Sequence, residues 1–229
     1  WKEEHLKGGY EFVDTPHVSK SDLWHTSGHM EFYRDNMYTF DVEGQEFVVK
    51  PMNCPGHILM YKRKLWSYRE LPVRYAELGT VYRYERSGTL HGMLRVRGFT
   101  QDDAHIFCTP DQLEGEIVGV LRLLKKIITA AGFEKFEVEL SVRDSKDTSK
   151  YAGNDEEWEA AEVSLVKAIE EMGFPYKRME GEAVFYGPKI DVQLVDALGR
   201  RWQASTVQFY FNLPGRFGVT YTGADGEVH

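Results

Sequence analysis

From Arg95 to His105 the chain reads Arg-Val-Arg-Gly-Phe-Thr-Gln-Asp-Asp-Ala-His, its densest run of reactive side chains. In an extended strand, side chains alternate between two faces. Arg95, Arg97, Phe99, Gln101, Asp103 and His105 then share one face, and Val96, Gly98, Thr100, Asp102, Ala104 and Ile106 take the other. A core face would not carry cations, an amide, a carboxylate and an imidazole in a row, because buried polar groups without partners are costly. A solvated face with ordinary ion pairs is one reading. Phe99 and His105 set among the charges favour a ligand-lined face. Upstream, Arg83 and Glu85 also stand two residues apart. An arginine fork grips phosphate bidentately and a carboxylate accepts from an amine, although the same pair could be a cross-strand salt bridge of little weight.

Cys54 opens a segment with helical character, with Asn53 as its N-cap and Pro55 in its first turn. The helix dipole favours thiolate at such a position. A thiolate and an imidazole are natural zinc ligands, so Cys54 and His105 form a candidate pair. A catalytic zinc needs three protein ligands, and the sequence offers only two with this standing. The competing reading of a lone cysteine is a small buried hydrophobe, which is how Cys108 reads.

The elements that must position these residues follow from periodicity. Residues 10–13 read as a short strand. Residues 37–42 and 46–49 read as a hairpin turning at Glu43-Gly44. A helix is predicted over residues 53–66, then two long strands over 73–85 and 94–107 joined by a polar loop. Leu113, Ile117, Leu121, Leu124 and Ile128 recur at helical spacing within 111–131, and Gly132 ends that helix. Residues 136–142 alternate as a strand, 155–172 form a second helix ending at Gly173, and the rest reads as strands over 176–179, 184–185, 190–195, 203–211 and 219–222. Long strands joined by hairpins with inserted helices predict an α+β fold on an antiparallel sheet. There is no βαβ rhythm and no glycine-rich phosphate loop, which leaves a Rossmann or P-loop fold without support.

The 229 residues suffice for one continuous core, and 42% hydrophobic with 28% charged content is ordinary for a soluble domain. No apolar run reaches the ~18 residues of a membrane span and no signal peptide opens the chain. Two cysteines make no disulfide scaffold. A cytoplasmic setting without membrane contact is expected. A net charge of −8 argues against a broad basic surface for nucleic acid.

Several stretches together resemble a known family. Residues 81–85, the loop with Ser87-Gly88 and Leu90-His91-Gly92, and residues 95–105 resemble motif 2 of class II aminoacyl-tRNA synthetases. Pro51 to His57, Phe185 to Lys189, Trp202-Gln203 and Thr206 to Gln208 resemble the threonyl branch, and the similarity runs from Leu23 to Tyr221. The resemblance implies a class II antiparallel sheet flanked by helices, in one catalytic core over 1–229 without an anticodon-binding or editing domain. It also implies ATP-dependent activation of L-threonine and transfer to tRNA(Thr). Arg83 would contact the α-phosphate, Glu85 the adenine side, Arg95 the outer phosphates, and Phe99 would stack on adenine. Lys189 would assist at the reacting phosphate, and Gln203 and Thr206 would lie near the ribose, with Mg2+ across the phosphates. Met52, Gln101, Asp103, Tyr186 and Gln208 would surround threonine, with Zn2+ on Cys54 and His105. His29 would help deprotonate the 2′-hydroxyl of the tRNA; His57, His91 and His25 have weaker claims.

Departures from the family carry expectations too. The chain opens at Trp1 without a methionine and closes at His229, so it reads as a C-terminally truncated piece. Motif 1 is present only around residues 9–16, without the helix expected before it. Motif 3 and the third zinc ligand would lie beyond His229. A homodimeric parent, a monomeric piece and impaired activity are then expected. Tyr210 stands where the family usually has aspartate, and Ala204-Ser205 also differ. A non-catalytic module that binds nucleotide or a partner protein is the alternative. A prolyl or seryl enzyme is disfavoured by the pairing of Cys54 with His105.

Overall fold

Val73, Tyr75, Glu77, Gly79 and Val81 are buried along one long strand, and of their neighbours only Ala76 is as buried. The computed structural model describes residues 1–133 and 135–229. It divides into two compact units, one of Lys2–Phe107 with Arg216–His229, the other essentially Cys108–Gly215.

In the first unit a short helix α1 (Lys2–Lys7) leads into strand β1 (Glu11–Phe12). That helix corrects the expectation that none precedes residue 9; acidic Glu3 and Glu4 in its first turn and Lys7 in its last suit its dipole. A small sheet follows from β2 (Val18–Lys20), β3 (Tyr38–Val42) and β4 (Gln45–Val49), in the order β2-β4-β3. Its hairpin turns at Glu43 and Gly44, both at positive φ, as a tight two-residue turn requires. Short helices α2 (Asp22–Thr26) and α3 (His29–Phe32) bring Trp24 and Met30 against Met37 and Val48 in one buried cluster.

Helix α4 spans Cys54–Tyr61 and stops well short of the predicted residue 66. Trp66 explains this: it leaves the helix for strand β5 (Trp66–Ser67), stacks on Tyr61 at 5.5 Å and donates its indole N–H to the Tyr61 carbonyl. Strands β6 (Val73–Tyr82) and β7 (Gly98–Phe107) pair antiparallel in unbroken register, from Val73↔Phe107 to Tyr82↔Gly98. β1 lies parallel to β6 on its other edge.

β7 therefore begins at Gly98, not at residue 94, and Arg95 and Arg97 lie outside the strand. The preceding loop folds on itself, with Leu94 and Arg95 N–H groups both bonded to the His91 carbonyl. Arg97 Nε donates to the carbonyl of Glu85. Cross-hairpin bonding ends with the Arg83 N–H, which donates to the Arg97 carbonyl at 2.8 Å, and beyond it the chain turns on the His91 carbonyl.

The second unit packs helices α5 (Leu113–Ala130) and α6 (Asp155–Glu171) on a sheet of β8 (Phe136–Val142), β9 (Tyr176–Glu180), β10 (Lys189–Val195) and β11 (Arg201–Gln208). The order is β11-β10-β8-β9, antiparallel except for the parallel pair β8–β9. Ile117, Leu121 and Ile128 of α5 are buried as their spacing predicts, and α6 contributes Leu165, Ala168 and Ile169. They meet Val138, Leu140, Val142 and Ile190 from one face of the sheet. Each large side chain so buried is worth roughly 1.5–3 kcal/mol. α6 opens on a capping box between Asn154 and Glu157, and Gly132 and Gly173 follow the two helices at positive φ. Among the described residues no helix is long and apolar enough to cross a membrane.

Candidate active site

Because β6 and β7 are in register, Tyr75, Glu77, Gly79 and Val81 stand opposite His105, Asp103, Gln101 and Phe99 on one face of the hairpin. The β6 side of that face is buried, and the β7 side is half-buried. Phe99, Gln101, Asp103 and His105 thus form the row that alternation predicts, without Arg95 and Arg97.

Beneath the row lies a closed ionic network. The Glu77 carboxylate accepts from the Thr15 N–H at 3.0 Å and hydroxyl at 2.9 Å, from Lys50 Nζ at 3.0 Å and from His57 Nε2 at 2.8 Å. All four side chains are buried. Burial alone would raise the Glu77 pKa, but these bonds, led by that of His57, overcome it and bring it down to about 2. Burial lowers the His57 pKa, the bond to Glu77 opposing it. His57 then has a structural task, with its ring against that of His105 at 4.6 Å.

His105 is hydrogen-bonded to Cys54 at the start of α4. Burial works against its cation, yet Cys54 and Asp103 raise its pKa to about 9. One buried thiol and one half-buried imidazole drawn together suit zinc's preference for S and N donors. Among the described residues, however, no cluster of three His, Cys, Asp or Glu side chains could hold a metal ion. The donor set fits zinc as a pair only. His229 is no third member: it bonds the Asp225 carboxylate at 2.9 Å and stacks on Tyr221. Cys108, expected buried, is half-buried.

Asn53 departs from its predicted duty. It occupies the N-cap position of α4, but its side chain caps nothing. It turns to the sheet, where Nδ2 donates to Asp103 Oδ2 at 2.9 Å. Gly79 makes room: a Cβ there would lie 2.2 Å from Asn53 Nδ2. Sequence reading missed this coupling, because capping is a local signal and the competing partner lies 50 residues away.

Arg83 and Glu85 lie just beyond β6, the Glu85 N–H donating to the Arg83 carbonyl at 2.8 Å, and their side chains take different partners. The Arg83 guanidinium lies over the Phe99 ring at 5.2 Å, and its Nε donates to the Pro51 carbonyl at 3.2 Å. Glu85 is buried and accepts from Arg95 Nε at 3.2 Å. A cation over an aromatic ring, with a carboxylate and a second arginine near the same hairpin end, is a chemistry suited to a flat base carrying phosphates.

His29 is almost fully buried. Its Nδ1 is 2.7 Å from Ser27 Oγ and its Nε2 is 2.9 Å from the Met52 sulfur. Burial first, then the charges of Arg216 and Arg83, push its pKa down to about 4. The imidazole is neutral at neutral pH, as a base must be, but it is covered by Met52.

In the second unit, Lys189, Gln203 and Thr206 gather around Asp191. Its Oδ1 accepts from Gln203 Nε2 at 2.7 Å and from the Thr206 hydroxyl at 3.0 Å; its Oδ2 accepts from the Ser141 hydroxyl at 2.7 Å and from Lys189 Nζ. Gln208 accepts from the hydroxyls of Tyr186 at 3.1 Å and Tyr210 at 2.5 Å. Tyr210, where the family usually has aspartate, is thus a donor to one of the expected threonine-pocket residues. Asp191 was not singled out from the sequence. The signal available was its place two residues after Lys189 on the same face of a strand.

The chain as a whole is similar to known proteins. The model of the tRNA synthetase class II core domain (G, H, P, S and T) matches residues 38–229. A threonine–tRNA ligase of Acidobacterium capsulatum is 58% identical over 229 residues, covering all of this chain and 34% of that protein. One from Sulfurihydrogenibium is 57% identical, with 35% of it covered. The chain thus spans about a third of the length of these relatives. A crystal structure described as the RNA-binding domain of threonyl-tRNA synthetase from Cryptosporidium parvum superposes at a TM-score of 0.92. It is 44% identical, with 98% of this chain and 55% of that chain covered.

Proposed function

This chain belongs to the class II tRNA synthetase core family, and from that premise we propose that it is the catalytic core of a threonine–tRNA ligase. The reading assigns it ATP, carried as its magnesium complex, and L-threonine as substrates, joined as threonyl-adenylate. The threonyl group then passes to tRNA(Thr). The observation that carries the reading is the half-buried row Phe99, Gln101, Asp103 and His105, with Cys54 bonded to His105 and Arg83 lying over Phe99.

In the first step the threonine carboxylate attacks the α-phosphorus and pyrophosphate leaves. Negative charge spreads over the phosphate oxygens, and cations held in place beforehand stabilise it without reorganisation. Arg83 and Lys189 take that task, Arg95 binds the outer phosphates, and Phe99 and Glu85 hold the base. Gln203 and Thr206 meet the ribose. Met52, Gln101, Tyr186 and Gln208 are assigned to the amino acid, and Asp103 to its hydroxyl.

Cys54 and His105 would hold zinc, which when bound supplies a Lewis-acidic site for the amino and hydroxyl groups of threonine. A pocket that ligates or bonds a hydroxyl rejects valine strongly, because its polar groups would be left without a partner. His29, neutral and near Met52, is the candidate base for transfer to the tRNA 2′-hydroxyl once Met52 moves aside.

The test is calorimetric titration with a non-hydrolysable threonyl-adenylate analogue beside its valyl and seryl counterparts, with zinc quantified in the same sample. Binding of the threonyl analogue with the valyl analogue rejected is expected. A folded sample that binds none of the three overturns the reading in favour of a non-catalytic module.

A further inference from the structure

Strict alternation along β11 would put Gln203 and Thr206 on opposite faces of the sheet. The pairing with β10 slips at Val192/Gln193, so that Asp191 faces Thr206 while Gln193 faces Gln203. Ala204 is the extra residue of the bulge. One inserted residue reverses the parity of a strand. Here it returns Gln203 to the face that carries Thr206, Lys189 and Asp191. The opposite face of the same sheet is the one covered by α5 and α6.

Asp191 sits at the centre of that polar face and is 3% exposed. A carboxylate has about four acceptor sites, and here four donors occupy them: the Ser141 and Thr206 hydroxyls, the Gln203 amide and the Lys189 ammonium. A carboxylate filled in this way has no lone pair left for a substrate proton or a metal ion. Its effect is on the donors themselves. Gln203 spends its NH2 group on Asp191 and on the Thr206 hydroxyl, both at 2.7 Å. The amide is thereby oriented so that its oxygen remains to accept from a ligand hydroxyl. Among the described residues Lys189 is tethered through one of its three N–H donors, to Asp191.

We propose that Asp191 is the positioning residue of this polar face. It sets the Lys189 ammonium for the reacting phosphate and makes Gln203 an acceptor for a sugar hydroxyl. The proposal deepens the ligase reading and rests on its assignment of Lys189, Gln203 and Thr206. It also gives the bulge a purpose, since without it Gln203 would not reach Asp191.

The experiment is a double-mutant cycle in ATP–pyrophosphate exchange, with Asp191→Asn, Lys189→Ala and their combination in the full-length protein. Asp191→Asn places an N–H group among donors and is expected to lower kcat by about 10- to 100-fold, the scale of a misplacement of about 1 Å. The double variant is expected to be no slower than Lys189→Ala alone. In a second cycle, Asp191→Asn and Gln203→Ala are expected to raise the KM for ATP non-additively. Losses that multiply in both cycles overturn the proposal while leaving the ligase reading intact. An unchanged kcat in Lys189→Ala overturns the role given to Lys189, and the proposal with it. Should Asp191→Asn fail to fold, Ser141→Ala replaces it, because its hydroxyl bonds only Asp191 among the described residues. A kcat lowered several-fold supports the proposal, and an unaltered kcat overturns it.

Discussion

Replacing Gly79 by alanine puts a methyl group where the Asn53 side chain now lies. The added Cβ would be 2.2 Å from Asn53 Nδ2 and 2.5 Å from its Cγ, so Asn53 must move by about 1.5 Å to reach ordinary van der Waals separation. Overpacking of this kind costs about 1–3 kcal/mol. The shift also breaks the 2.9 Å bond from Asn53 to the Asp103 carboxylate, and a hydrogen bond to a charged group contributes about 1.5–3 kcal/mol. Gly79 has no positive φ, so alanine is tolerated by the backbone, and the restricted unfolded chain returns about 0.4–1 kcal/mol. The expected net loss is about 2–5 kcal/mol. Urea unfolding of Gly79→Ala, Asn53→Ala and the double variant measures it. Asn53→Ala vacates the space the new methyl needs, so the double variant should be no less stable than Gly79→Ala alone. Gly79→Ala within about 0.5 kcal/mol of wild type, the scale of an indifferent surface change, or strictly additive losses, would refute the reasoning.

The Glu77 network predicts an acid limb of stability. Its carboxyl falls from the ordinary 4.5 to about 2 in the folded chain, so its stabilisation is complete above pH 4.5 and is lost as pH falls towards 2. At 1.36 kcal/mol per pKa unit this limb amounts to about 3 kcal/mol. Denaturation at stepped pH should show Glu77→Gln less stable at neutral pH and flatter between these values; an unchanged slope in that variant counts against the network. For the metal, Cys54→Ser is expected to lose zinc and threonine-over-valine selectivity together. Metal analysis showing full occupancy in that variant would contradict the ligand pair.

Much of the architecture was legible in the residue order because it rests on local periodicity. The helical stripe of Ile117, Leu121 and Ile128, the Glu43-Gly44 turn, and the glycines after α5 and α6 each express constraints that act within a few residues. The row Phe99, Gln101, Asp103 and His105 was legible for the same reason, since a period of two survives wherever the chain stays extended. Where the chain stops being extended was not legible. Arg95 and Arg97 continue the pattern on paper, but the strand begins only at Gly98, and before Arg97 the loop turns on the His91 carbonyl. Trp66 likewise ended a helix early for the sake of stacking on Tyr61.

What the order of residues determined by itself was the set of chemical groups, the faces they take within each element, and a resemblance strong enough to indicate the family. Partnership was decided only by the tertiary structure. Asn53 abandons its cap for Asp103, Glu77 is enclosed by Thr15, Lys50 and His57, and Asp191 collects donors from three strands across a bulge. Periodicity reports which way a side chain points, whereas a hydrogen bond requires the position of its partner to within a few tenths of an ångström. Strand register, bulges and close approach at Gly79 set that position through contacts between segments far apart in sequence.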